Sequence, residues 1–480
     1  MGNQNPSESI VGGFIWKFGE RLIAQGVSFV TSLVLARLLS PDDYGLIAIV
    51  LVFINLANVF ITSGFATALI QKKDANSTDF STIFYCSLVC SILIYLVIFL
   101  ISPVVAVFYR MPQITPVLRV YGLQVPLSVY NSVQVAYVSR HMMFRKVFTS
   151  TMISALASAG IGVGMALLGY GVWALVAQSM SLTVVSTLVM AVIVPWHPTK
   201  KFSAGAAKTM MKYSSRVLLA DLSGTFFGEV RSLIIGRVYT NADLAFYTKG
   251  QQLPNLITGN LSTSIMAVLF PAMANKSDNV EQVYNLARRS LRTLSYVLFP
   301  TLFGLAAVLR PLVIFLYTDK WVECVPYAQM LCMGYAIGVL GIVPLQTLKA
   351  IGRSDVVLGL EIWKKPVYVL LLVVGVNVSV SAVALTMVIY EIYGLIVNML
   401  QMKKYIGYSI GQQLLDILPA FLLAGGMTIL VLAVPAANSE ILTILLKVLV
   451  GVVVYVIGSI VLNLEPYRYI LSILKVRIRK

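Results

Sequence analysis

Long, predominantly apolar stretches follow one another along the whole 480-residue chain, with only short polar turns between them. A bilayer core of about 30 Å is crossed by about 20 helical residues, so each stretch is a candidate span and lipid is the main solvent. They lie near 10–38, 44–70, 80–108, 114–138, 147–169 and 171–195. After the polar segment His197 to Lys212 come six more, near 213–238, 244–271, 290–317, 325–348, 355–377 and 380–402, and a final pair near 413–434 and 440–463. The pattern predicts an all-α polytopic membrane protein of about 14 transmembrane helices. Two six-helix bundles are expected at 1–196 and 213–404, joined by a cytoplasmic linker at 197–212. Two additional helices at 405–464 and a basic tail at 465–480 complete the chain. With 58% of residues hydrophobic and 11% charged, little is left for a soluble domain.

Thirty-six lysines and arginines against 19 acidic residues give a net charge of +17. In a soluble protein that excess would suggest nucleic acid, but here its position matters more, and no nucleic-acid partner is expected. Alternate loops carry it. One set holds Lys72 and Lys73, Arg140 with Arg145 and Lys146, Lys200 with Lys201 and Lys208, Lys276 with Arg288 and Arg289, Lys349 with Arg353, Lys403 with Lys404, and the tail. The other holds little beyond Arg110 and Lys320. Basic loops stay in the cytoplasm, so both termini are expected there, in a bacterial inner membrane. The N-terminal MGNQNPSES lacks the basic flank and cleavage site of a secretory signal, so the first helix should persist in the mature protein. The tail Tyr467 to Lys480 alternates apolar and basic residues, which suits an orientation signal or a short amphipathic helix on an anionic leaflet. Cys86, Cys90, Cys324 and Cys332 have no histidine partners at metal-ligand spacing, since His141 and His197 both fall in loops, and no metal site or disulfide framework is expected.

An internal repeat is visible. Ala36-Arg37-Leu38-Leu39-Ser40-Pro41-Asp42-Asp43 is matched 200 residues later by Gly236-Arg237-Val238-Tyr239-Thr240-Asn241-Ala242-Asp243. Both run from a small residue and an arginine through a hydroxyl to an aspartate positioned to cap the next helix. Upstream, Trp16-Lys17-Phe18 with Arg21 matches Met211-Lys212-Tyr213 with Arg216. Six intervening helices give both halves the same orientation, and parallel repeats place a substrate site at the interface of the halves.

Ionisable residues inside spans cost roughly 2.5–3.5 kcal/mol each at a helix centre and therefore face a cavity or one another. Lys17, Arg21, Gln25 and Ser28 form a single polar stripe on the first helix, and Lys212 with Arg216 form its repeat. Together with Arg119, Gln124, Lys249 and Lys364 these residues are the candidate lining of a cationic cavity for an anionic ligand. Internal pairing is the competing reading, chiefly Glu361 with Lys365 and Lys17 with Glu20. Asp221 and Glu391 are candidates for coupling to a proton or sodium gradient. No cofactor is expected.

The segments Phe14-Ile15-Trp16-Lys17-Phe18-Gly19-Glu20-Arg21, Leu33 to Gly45 and Gly64 to Lys73 resemble the Wzx-type polysaccharide exporters, especially the colanic-acid and teichuronic-acid exporter branch. That superfamily also holds MATE drug antiporters and lipid II flippases. The resemblance is strongest over 10–75 and again near 211–250. It implies a V-shaped pair of bundles, alternating access and two extra C-terminal helices. It also implies an undecaprenyl-pyrophosphate-linked oligosaccharide as substrate, with the cationic residues meeting its pyrophosphate or acidic sugars. Membrane lipids, a polysaccharide polymerase and assembly proteins are the further partners implied, for a chain acting as a monomer and not as an enzyme.

Two other functions compete. A membrane glycosyltransferase or ligase using lipid-linked sugars would place Asp42 and Asp43 in catalysis, but Asp43 has a repeat counterpart in a capping position and no outer loop is long enough for an acceptor domain. A MATE-like exporter of small cations predicts an acidic cavity, whereas the excess here is basic.

Overall fold

The computed structural model describes residues 6–62 and 76–478, and these are helical nearly throughout. In chain order the first helices are α1 (Pro6–Leu38), α2 (Pro41–Val59), α3 (Ser77–Tyr109), α4 (Ile114–Gly122), α5 (Gln124–Arg140), α6 (Phe144–Leu167), α7 (Val172–Ile193) and α8 (Ala204–Val238). They are followed by α9 (Asn241–Ala274), α10 (Val280–Tyr317), α11 (Cys324–Leu340), α12 (Ile342–Ala350), α13 (Ser354–Val376), α14 (Val380–Ile406), α15 (Ile410–Ala433), α16 (Glu440–Val461) and α17 (Glu465–Ile478). Among the described residues these follow the fourteen segments read from the sequence, apart from their exact ends, and two segments are broken. The fourth segment breaks at Leu123 into α4 and α5, and the tenth breaks at Gly341 into α11 and α12.

Among the described residues, ten helices are long and apolar enough to cross a membrane. The expected spans outside that set are α1, the α4–α5 pair, α8 and α13, which between them hold Lys17, Arg21, Arg119, Arg216, Asp221, Glu361 and Lys364. Apolar side chains also face outward, Val192 at 85% and Val107 at 79% exposure, as they do on a surface solvated by lipid. The chain is a multi-pass membrane protein.

It divides into two compact units, Met1–Ala245 and Phe246–Lys480. In the first, α1 packs on α6, α6 on α7, α2 on α8, and α3 on α4 and α5. In the second, α10 packs against α11, α15 and α16, while α14 packs against α11 and α13. Helix α8 clusters with the helices before it and begins at Ala204, inside the segment read as a linker, because Ala, Lys and Met there favour helix. The tail forms α17, as an amphipathic pattern predicts. The end of the second expected span and the segment Gly64 to Lys73 lie outside the described residues.

The repeat is realised as two caps of the same geometry. The Ser40 backbone N–H and hydroxyl donate to Asp43 Oδ2 at 3.1 and 2.6 Å, and the Asp43 N–H donates back to Ser40 Oγ at 3.2 Å. Thr240 and Asp243 repeat this at 3.1, 2.7 and 3.1 Å. Both aspartates are thus occupied in starting α2 and α9. The copies also touch, for Gly45 on α2 lies directly against the Asn241 backbone, where a Cβ would stand 2.0 Å from the carbonyl oxygen.

Prolines inside the long helices leave carbonyls without their helical donors, and neighbouring side chains replace the missing bonds. Pro103 in α3 removes the donor to Phe99, whose oxygen accepts instead from Ser102 Oγ at 2.8 Å and Arg119 Nε at 3.4 Å. Pro300 in α10 does the same to Tyr296, whose oxygen accepts from the Tyr455 hydroxyl of α16 at 2.8 Å.

Candidate functional site: a charged pocket around Lys364 and Glu391

Helices α11 and α12 approach α14 closely where glycines line the contact, and at Gly338 a side chain would collide. A Cβ at Gly338 would lie 2.7 Å from Glu391 Oε2, and one at Gly341 would lie 3.4 Å from Asn398 Nδ2. On α14, the aliphatic stem of Lys364 packs beside Gly394, with Cδ 3.7 Å from where a Cβ would be. The result is a cavity of about 220 Å³ enclosed by α11 to α14. Glu361, Lys364, Glu391 and Asn398 supply its polar lining.

Lys364 is 6% exposed and donates from Nζ to Glu361 Oε1 one helical turn away. Asn398 is 3% exposed, and its Oδ1 is buried without a hydrogen-bond partner. Glu391, Gly394 and Asn398 share one face of α14 at i, i+3 and i+7. Glu391, Gly338 and Ile342 also line a second cavity of about 260 Å³, whose remaining polar groups are Asn255, Thr258 and Ser262 on α9 and Tyr335 on α11. One carboxylate therefore faces two adjoining polar spaces within a single unit. Such an arrangement can hold a cation, exchange a proton or accept hydrogen bonds from a hydroxylated ligand.

Of the residues singled out in the sequence, this pocket unites Lys364 and Glu391. The other described ones lie elsewhere. Arg119 stands on α4 with its Nε 3.0 Å from Ser102 Oγ and its guanidinium 4.1 Å over the Phe99 ring, where it supports the proline gap of α3. Gln124 opens α5 with Oε1 buried and unpartnered. Lys249 is 6% exposed, with its ammonium 4.7 Å from the Tyr317 ring and 5.4 Å from that of Trp321, a cation–π enclosure that lines none of the cavities described here. Gln25 is half-buried on α1, and Asp221 is exposed on α8. The side chains of Lys17, Arg21 and Arg216 lie outside the described residues. Glu361 pairs with Lys364, a partner that the sequence reading did not name. Glu20 accepts from Thr151 Oγ1 at 3.4 Å, so α6 supplies a partner that the expected pairing with Lys17 did not include.

Two features were missed. Asn398 could have been found from its i+7 relation to Glu391. Asp416, an acid within an apolar helix, gathers Arg288, Arg292 and the Tyr408 hydroxyl around one buried carboxylate. A third, apolar space of about 420 Å³ runs along the same unit between α10, α15 and α16, with Gly304 and Gly451 at its floor, Pro300, Met427 and Val452 in its walls, and Lys447 as its one cation.

The match to a sequence family fixes what this architecture belongs to. The polysaccharide biosynthesis protein family matches residues 34–326, and the chain belongs to it. The succinoglycan biosynthesis transport protein ExoT of Rhizobium meliloti is 24% identical over 335 residues, 69% of this chain and 67% of that one. The lipopolysaccharide biosynthesis protein WzxC of Escherichia coli is 22% identical over 424 residues, covering 86% and 85%. Among solved structures, the lipid II flippase MurJ in an inward closed conformation superimposes with a TM-score of 0.76 at 13% identity, covering 96% of this chain and all of that one. The fold is the one MurJ adopts.

Proposed function

We propose that this protein is a flippase that carries undecaprenyl-pyrophosphate-linked oligosaccharide repeat units from the cytoplasmic to the outer face of a bacterial inner membrane by alternating access. Its product would feed exopolysaccharide, capsule or O-antigen assembly, with a polymerase and assembly proteins downstream. The family match over residues 34–326 carries the reading, on a chain built almost wholly of membrane helices. Physical chemistry supports it. A sugar pyrophosphate cannot cross hydrocarbon unaided, whereas its polyprenyl tail is already soluble there. Unit Phe246–Lys480 offers separate environments for the two, a charged pocket lined by Lys364 and Glu391 and an apolar groove along α10 and α16.

The deciding experiment deletes the gene in its host and assays lipid-linked sugars in each leaflet. Accumulation of one complete repeat unit on the cytoplasmic face is expected, restored by the wild-type gene. Complementation with Arg21→Gln or Arg216→Gln at normal protein levels tests whether the cationic stripes meet the substrate. Normal translocation with unjoined units outside would instead indicate a ligase or polymerase and overturn the proposal.

Glu391 is the coupling acid in this reading, because its carboxylate faces both polar cavities. In proteoliposomes, Glu391→Gln is expected to lower gradient-driven translocation at least tenfold while leaving downhill exchange measurable. Equal loss in both modes, or in neither, would remove it from a coupling role.

A further inference from the structure

Where α9 ends and α10 begins, Lys276, Arg288, Arg289 and Arg292 surround a cavity of about 430 Å³ whose one acidic wall is Glu465, the first residue of α17. A second cavity of about 210 Å³ shares Arg292 and Glu465 as walls, has Asp416 beside them, and is lined elsewhere mainly by apolar groups such as Tyr296, Leu415 and Pro419. The first is polar and cationic, the second largely apolar, and together they have the division of an amphiphile.

The cations are not simply a solvated basic surface. Asp416, with its side chain 4% exposed, holds Arg288 through Nε at 2.7 Å and Nη2 at 3.2 Å, and Arg292 through Nε at 2.7 Å. Arg292 also pairs with Glu465, and the Arg289 guanidinium stacks 5.0 Å from the Tyr469 ring of α17. Arg288 and Arg292 are thus held by the two carboxylates, and with Lys276 and Arg289 the lining has two positive charges in surplus. Pre-set guanidinium groups at a membrane interface match phosphate oxygens in geometry and charge.

We propose that this cavity binds the phosphate headgroup of an anionic membrane lipid, with α17 as the strap that lies over it. The headgroup meets Lys276 and Arg289, while the first carbons of the lipid enter the space beside Tyr296 and Pro419. Glu465 competes with the phosphate for Arg292. The site is independent of the proposed transport cycle. An anionic phospholipid and a polyprenyl phosphate present the same chemistry, and the test separates them.

Purified full-length protein is titrated with dioctanoyl phosphatidylglycerol, undecaprenyl phosphate and dioctanoyl phosphatidylcholine, and binding is read by native mass spectrometry. Preference for either phosphate-bearing anion over phosphatidylcholine supports the site, and the tighter of the two identifies the source. The double variant Lys276→Gln/Arg289→Gln is expected to weaken anionic lipid binding on the order of tenfold. Glu465→Gln is expected to tighten it several-fold. Equal retention of phosphatidylcholine and phosphatidylglycerol, or unchanged affinity in the double variant, overturns the proposal. Should the double variant fail to fold, the Glu465→Gln result decides, and no gain there overturns it.

Discussion

Asp416→Asn is expected to lower the unfolding midpoint of the detergent-purified protein by several degrees. Asp416 lies in the second turn of α15 and accepts from Arg288, Arg292 and the Tyr408 hydroxyl, the last at 2.6 Å. Asparagine keeps the shape but not the charge, so two guanidinium groups held toward one point lose their counter-ion. Breaking a buried pair in this way costs about 3–5 kcal/mol. Arg288 and Arg292 keep 37% and 26% side-chain exposure, which lets water screen them and places the effect at the lower end of that range. Tyr408→Phe removes one hydrogen bond and should cost about 1 kcal/mol. Following the soluble, monodisperse fraction after heating would rank the two variants. Equal midpoints for both variants and the wild type would mean that apolar packing alone holds α15 against α10.

A second large effect is expected at Gly45. A Cβ there would lie 2.0, 2.5 and 2.9 Å from the carbonyl oxygen, carbonyl carbon and Cα of Asn241. These are backbone atoms, so no rotamer change can relieve the overlap. Ordinary contact between carbon atoms lies near 3.5–4.0 Å, so the start of α9 must move away from α2 by more than about 1 Å. Overpacking of this kind costs typically 1–3 kcal/mol and occasionally more, and a clash against backbone belongs at the top of the range. Gly45→Ala should therefore yield little folded protein in the membrane. Gly164→Ala is the control, because nothing lies within 4 Å of the added methyl on α6 and helix propensity favours alanine. Comparable yields from the two variants would show that the copies of the repeat can separate freely.

The ten apolar spans among the described residues were legible in the sequence because each must satisfy its own backbone in lipid, a constraint that acts locally and leaves a continuous apolar record. The roles of Asp43 and Asp243 were legible for a similar reason. A capping box is closed within four residues, and its repetition distinguished a structural aspartate from a catalytic one.

The site was only partly legible. Glu361 can reach either Lys364 or Lys365 along its own helix, and the spacing alone does not single out the pair with Lys364. Arg119 and Lys249 have the same character in sequence as Lys364, a cation within an apolar run. One bridges a proline gap 20 residues upstream, and the other is enclosed by rings nearly 70 residues downstream. Such partners are set by tertiary proximity, which helical periodicity does not encode. Asp416 escaped notice because its cations sit on α10, more than 120 residues earlier in the chain.

The bond between Tyr455 and the Tyr296 carbonyl also has a consequence for biogenesis. Pro300 deprives that carbonyl of its helical donor as soon as α10 is made, but the replacement hydroxyl is 155 residues further along the chain. At about 5–20 residues per second, translation takes about 10–30 s to deliver it. Through that interval a nascent α10 resting in lipid must borrow water or another chain for its open carbonyl. Delivery of α16 ends the vulnerable period, so a helix made long after α10 supplies the donor that its Tyr296 carbonyl lacks.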